Sequence, residues 1–428
     1  MRNLFFLGGR ATLVLALIGA VRAGAQNSPG TAEVFSRYGS EVITIHIVET
    51  GSGSKSSLAT GFFATGDGRI ITNYHVVADV VNKPKEYRAE WVESEGATHP
   101  LRVLAIDVVH DLAVVSAGGA SPHFFALAKQ PPPQGTRLFA LGNPNDIGLS
   151  IVEGTYNGLM QNTLYPKIHF TGAINHGMSG GPAITAAGLV VGINVQTRGN
   201  SIGFLVPVDR AAVLLARTQA PGYAPPADFF PEMTAQIRAY QDLNFKSLFA
   251  DTTPTVTLGT YTVPTKPAGY FRCWADADRD VTESPFVTVD HNCSTDDEIY
   301  LAGEQTTGDV RLSYKLITTE ALDRIRFYTL YASEFNDEPY LEGTESAVTN
   351  FECRTRNVRR DTKGGGTVTL RAAVCLRAYK KLTGLYDAVV RTAVLGRMDS
   401  GLVASLSLTG VSYENAQAII ERFLERVP

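Results

Sequence analysis

The sequence predicts an all-β barrel or sandwich over residues 40–206, followed by a second domain of mixed α and β character. Short apolar runs rich in β-branched residues recur through the first part, and Gly, Pro, Asn or Asp separate them. Val42 to Val48, Arg69 to Thr72, Leu112 to Val115 and Leu189 to Asn194 are examples. Such runs, closed by turn residues at regular spacing, are the pattern of short strands in a closed or sandwiched sheet. Pro221 to Pro231, with Gly222, Pro225 and Pro226 inside it, breaks the pattern and marks a domain boundary. All four cysteines lie beyond that boundary.

Taken from the start, residues 1–25 read as a signal peptide. Arg2 and Arg10 precede an apolar stretch from Ala11 to Val21, and Ala23-Gly24-Ala25 offers a small-x-small cleavage site. That stretch is too short for a bilayer span, which needs about 20 residues. A periplasmic or secreted protein cleaved near Ala25 is expected, with no span in the mature chain. Residues 26 to about 35 read as a flexible start, and the first domain covers 33–220. Its last element is a helix from Pro207 to Ala220. A linker occupies 221–250, with a helix from about 231 to 249 in which Met233, Ile237 and Tyr240 share a face. Residues 251–428 then form an α+β domain with an antiparallel sheet, ending in a helix capped by Ser412.

Four cysteines allow three pairings. Local pairing, Cys273 with Cys293 and Cys353 with Cys375, is expected because each pair closes a short loop. No C-x-x-C spacing suggests a zinc site instead. Hydrophobic residues make up 44% and charged residues 19%, with a formal net charge of −4. A globular protein with no nucleic-acid partner fits that balance. Asp276 to Asp280 begins like a calcium loop, but Val281 and Val287 stand where glycine and glutamate belong. A solvated acidic turn is expected there, and no metal or cofactor requirement.

The chemistry concentrates in Asn175-His176-Gly177-Met178-Ser179-Gly180-Gly181-Pro182. Serine hydrolysis needs an activated hydroxyl, a base, a group that orients the base, and donors where negative charge develops. Gly177 permits a backbone that turns the amides of Gly177 and Ser179 toward one point, and Gly180 and Gly181 permit close approach behind the serine. Upstream, Thr72-Asn73-Tyr74-His75-Val76-Val77 places a histidine just past a strand, and Asp111-Leu112-Ala113-Val114-Val115 places an aspartate at a strand mouth. The order His, Asp, Ser is that of the chymotrypsin class. Asp107 is a second carboxylate, read as turn packing.

Together with Leu141 to Pro144, Ala173 to Asn175 and Ile202 to Asp209, these stretches resemble the HtrA/Deg-like branch of trypsin-like serine peptidases from about 58 to 210. The resemblance implies a two-barrel chymotrypsin-like fold with its active site between the barrels. It assigns Ser179 as nucleophile, His75 as general base and acid, Asp111 as the group orienting His75, and Gly177 and Ser179 as the oxyanion hole. It also implies a pocket walled by Ala173, Ile174, Ile202, Gly203 and Phe204, which suits a small or medium apolar residue. Met178 departs from the asparagine usual in that branch. Residues 230–428 carry no recognisable PDZ domain, so assembly and regulation are not carried over. The expectation is a serine endopeptidase acting on polypeptides, whose C-terminal domain could dock substrate, contact the envelope or a protein partner, or shield the cleft. The alternative is a latent or inactive protease fold that captures peptides.

Overall fold

The computed structural model describes residues 29–427, apart from 94–95, 122, 198–201, 280–283, 296, 304, 337–340, 342 and 362–365. The expected signal segment therefore lies outside the described residues, as do Asp280 and Val281 of the acidic run. Asp276 and Asp278 are exposed at the end of a strand. The expected flexible start is instead helical from Thr31 to Tyr38 (α1). So short a helix is marginal in isolation. It holds because Val34, 1% exposed, packs into a core cluster shared by both barrels, and Thr31 Oγ1 donates to Glu153 at 2.5 Å.

Two closed antiparallel barrels follow. The first contains β1 (Val42–Glu49), β2 (Lys55–Phe63), β3 (Arg69–Thr72), β4 (Tyr87–Val92), β5 (Thr98–Asp107) and β6 (Leu112–Ser116), in the order β1-β2-β3-β6-β5-β4. Helix α2 (Tyr74–Asn82) leaves β3 directly. The second contains β7 (Arg137–Gly142), β8 (Ser150–Leu159), β9 (Ile168–Phe170), β10 (Pro182–Ile184), β11 (Val190–Thr197) and β12 (Gly203–Pro207), in the order β10-β11-β12-β9-β8-β7. Alternation along the strands sends one face into each barrel and the other outward, toward the seam between the barrels. Phe62, Ile71 and Val114 of the first barrel thereby meet Phe139, Leu141 and Ile193 of the second, with Leu214 and Leu215 of α3 (Val208–Gln219). Each such side chain contributes about 1.5–3 kcal/mol on burial, so the seam is held by the same force as the barrels.

Helix α4 (Phe230–Asn244) stops earlier than the apolar spacing suggested. Phe245, Leu248 and Phe249 are buried in turns instead, with Phe249 at φ 57° and its ring 5.6 Å from Phe423. Beyond it the chain forms the hairpin β13 (Thr255–Leu258) and β14 (Tyr261–Pro264). The main sheet has seven antiparallel strands: β15 (Phe271–Asp278), β16 (Val287–Thr295), β19 (Val310–Thr318), β23 (Ser400–Ser412), β22 (Leu385–Leu395), β21 (Thr367–Ala378) and β20 (Glu352–Asp361), in that spatial order. A second hairpin, β17 (Ile299–Ala302) and β18 (Gln305–Thr307), stands apart from it.

Helix α5 (Arg324–Asn336) covers one face of the sheet through Phe327, Tyr331 and Phe335. Helix α6 (Tyr413–Arg426) covers the other, and the Ser412 side chain accepts from the Asn415 amide at its start. The disulfides are Cys273–Cys293 across β15 and β16, and Cys353–Cys375 across β20 and β21. His291 Nε2 lies 3.6 Å from Cys293 Sγ, but both nearby sulfurs are committed to a disulfide rather than free as thiolates. One continuous apolar cluster runs from Ile45, Tyr74 and Val77 of the first barrel, through Met233 and Ile237 of α4, to Tyr314, Leu406 and Phe423. The helix expected to be a linker is thus built into a core that both halves share.

Candidate active site

His75 sits in the first turn of α2, and Asp111 immediately precedes β6. β3 pairs with β6, Thr72 opposite Ala113, so the histidine and the aspartate arrive side by side. Asp111 takes a left-handed conformation, φ 55°, which aspartate tolerates better than most residues. Asn73 Nδ2 holds the Asp111 carbonyl at 2.8 Å. In that pose Asp111 Oδ1 accepts the His75 backbone N–H at 2.8 Å, and Oδ2 lies 2.6 Å from His75 Nδ1. Burial alone would lower the His75 pKa. The Asp111 charge and hydrogen bond outweigh it and hold the imidazole above its ordinary value.

The serine segment is fastened to the first barrel by its backbone. Thr60 of β2 donates its N–H to the Ser179 carbonyl at 3.0 Å and its hydroxyl to the Gly177 carbonyl at 2.6 Å. Gly180 donates to the Asn194 carbonyl at 2.9 Å, which ties the bend to β11. Gly180 has φ 83°, and a Cβ there would lie 2.2 Å from both the Thr60 carbonyl and Thr72 Oγ1. No other residue fits without moving the bend.

Gly177 has φ 92°, and the His176 carbonyl accepts from the Asn145 N–H at 2.9 Å. In a trans peptide the N–H points opposite to the carbonyl, so the Gly177 N–H is directed away from Asn145. Among the described residues, neither the Gly177 nor the Ser179 N–H donates to any acceptor. Ser179 Oγ rests on the Val195 carbonyl at 3.5 Å and makes no hydrogen bond to His75. A long serine–histidine contact is common when no substrate is bound.

The pocket residues are only partly gathered. Gly203 pairs with Phe170, and a Cβ on it would lie 2.8 Å from Ile174 Cγ1, so Ile174 and Gly203 are in contact. Ala173 is half-buried and Ile202 is 40% exposed. Phe204 pairs with His169 and, one residue along from Gly203, faces the other side of β12. Asp107 caps a turn: its carboxylate accepts the His110 N–H at 3.0 Å and lies 2.8 Å from His110 Nδ1. Burial raises the Asp107 pKa, but His110 outweighs that and holds the carboxyl below its ordinary range. Thr60, Asn194 and Asn145 were not anticipated as supports of the site. Nothing in their local sequence signals it, whereas Asn73 at least stands inside the histidine stretch.

Two closed six-stranded barrels, with the histidine and aspartate on one and the serine bend joined to both, define the chymotrypsin-like class. The chain carries a trypsin-like peptidase domain: the family model of that description matches residues 59–193. A probable periplasmic serine endoprotease DegP-like from Marinomonas is 35% identical over 36% of this chain and 32% of its own length. Serine protease HTRA1 of Xenopus tropicalis is 28% identical over 37% and 35%. Mitochondrial serine protease HTRA2 of Bos taurus is 30% identical over 50% and 49%. The chain therefore spans from about a third to about half of the length of these relatives. A serine endoprotease structure from Yersinia pestis aligns at a TM-score of 0.40 and 20% identity over 46% of this chain and 68% of its own, too loose a likeness to argue from.

Proposed function

We propose that the protein is a secreted or periplasmic serine endopeptidase that cleaves polypeptides through an acyl-enzyme. The observation that carries this reading is the pair of hydrogen bonds that Asp111 accepts from His75, with the serine bend presenting two unengaged amides. Ser179 Oγ attacks the peptide carbonyl carbon while His75 Nε2 takes its proton. The new oxyanion settles between the Gly177 and Ser179 N–H groups, each such donor typically being worth about 2.7–4 kcal/mol. His75 then protonates the leaving amine, and water completes the cycle by the same path. The contact between Ile174 and Gly203, with no acidic side chain at Ala173, supports cleavage after small or medium apolar residues. The signal-like leader and a relative named as periplasmic support the compartment.

The test is labelling of the purified mature protein by a fluorophosphonate probe beside Ser179→Ala. Labelling of the wild type and none of the variant is the expected result. An unlabelled wild type would favour a latent or peptide-capturing protein.

The same reading predicts the pH profile. His75 acts as base only when neutral, and its pKa is raised, so kcat/KM is lost as pH falls through a value above 6.5. An acidic limb at or below 6.5 would mean that burial outweighs the Asp111 charge at His75.

A further inference from the structure

We propose that Tyr300, supplied by the C-terminal domain, walls the cleft beside His75 and restricts the substrate side chain lying against that imidazole to a small one. The proposal rests on the peptidase reading above. Tyr300 belongs to β17, where Ile299 and Leu301 are 1% and 2% exposed in the shared core. Strand alternation sends Tyr300 the other way. Its half-buried ring lies 6.2 Å from the His75 ring and 6.4 Å from that of Tyr74, with the Tyr300 and His75 planes at 84°. That is contact distance for an aromatic pair, so no atom fits between the rings. A substrate side chain that runs along His75 ends against Tyr300.

The wall is held at both ends. Toward α2, Tyr74 Oη donates to the Leu301 carbonyl at 2.7 Å, and Asn82 Nδ2 reaches the same oxygen at 3.2 Å. Toward the second barrel, the Asp297 carboxylate accepts the Leu164 N–H at 3.0 Å and pairs with Lys167 at 2.7 Å. The Tyr165 hydroxyl adds a longer bond to the Glu298 carbonyl at 3.4 Å. Residues 297–301 thus run from the β8–β9 connection to α2, past His75. Burial first, then the charges of Asp79 and Asp111, raise the Tyr300 phenol, which keeps the ring neutral where the protein works. The backbone that carries the ring is therefore a strap fixed on two sides, and the ring itself packs against Tyr74 and His75.

The experiment uses the full chain and peptides varied at two positions: the residue before the one that enters the Ile174–Gly203 pocket, and the residue after the scissile bond. Within each protein, the kcat/KM for alanine is divided by that for leucine at each position. The wild type should favour alanine at one of them. Tyr300→Ala should lower that ratio by about tenfold or more, the scale on which an apolar wall discriminates by size. Tyr300→Phe should retain it, because the ring and not the hydroxyl is the barrier. Fluorophosphonate labelling of each variant shows that its serine site is assembled. If Tyr300→Ala fails to label, Tyr300→Val, which suits a strand better, is measured in its place. A labelled variant with the wild-type ratio at both positions overturns the wall while leaving the peptidase reading intact. An unlabelled wild type overturns the peptidase reading itself, and the wall with it.

Discussion

Replacing Asp111 by asparagine should lower kcat by about 10⁴ while leaving the barrels folded, the scale seen when a triad aspartate is changed in this way. The reason lies in the two bonds Asp111 makes. Its Oδ1 accepts the His75 backbone N–H, a donor that cannot reverse. An asparagine must keep its carbonyl oxygen on that N–H, and its NH₂ then faces His75 Nδ1. The imidazole answers by carrying its proton on Nε2, the atom that receives the serine proton in the proposed mechanism. The base is in place but in the wrong tautomer. Kinetics of Asp111→Asn on a peptide substrate, with near-ultraviolet circular dichroism to confirm folding, provide the check. A loss of less than about tenfold would show that His75 is oriented by something other than Asp111.

Asp297→Ala should destabilise the protein by about 3–5 kcal/mol, the usual cost of stranding one partner of a buried ion pair. The Lys167 and Asp297 side chains are only 8% and 12% exposed. Burial acts to lower the Lys167 pKa, but Tyr165 and Asp297 outweigh it, so the ammonium stays charged in the folded protein. Removing Asp297 leaves that charge without its carboxylate and the Leu164 N–H without its acceptor. The double change Lys167→Met with Asp297→Leu should recover much of the loss, because no charge is then buried. Urea midpoints at unchanged m-value measure both. A single-variant loss under about 1 kcal/mol would mean that water reaches the lysine as well as the carboxylate does. The pair also anchors the strap that carries Tyr300, so a destabilised Asp297→Ala should lose substrate selectivity along with stability.

Much of this molecule was legible before any coordinates. The strand pattern, the cap at Ser412 and the local pairing of cysteines all depend on neighbours in sequence. So do the glycines around Ser179, whose positive φ values at Gly177 and Gly180 only glycine adopts freely. The elements misread were those where packing outweighs local preference. Residues 31–38 are helical because Val34 finds a core to enter, and α4 ends early because Phe245 and Phe249 are buried by turning away.

What the sequence determined by itself was the local form of three stretches: a serine in a glycine bend, a histidine after a strand and an aspartate before one. Each is a short stretch whose own backbone demands set its shape. Tertiary structure alone decided what surrounds them. Thr60 reaches across 117 positions to hold the Gly177 carbonyl, and Tyr74 across 227 to hold Leu301. Contacts at such separations come from how two halves bury a common core, and no local pattern encodes them. The arrival of Tyr300 beside His75 is a consequence of that burial.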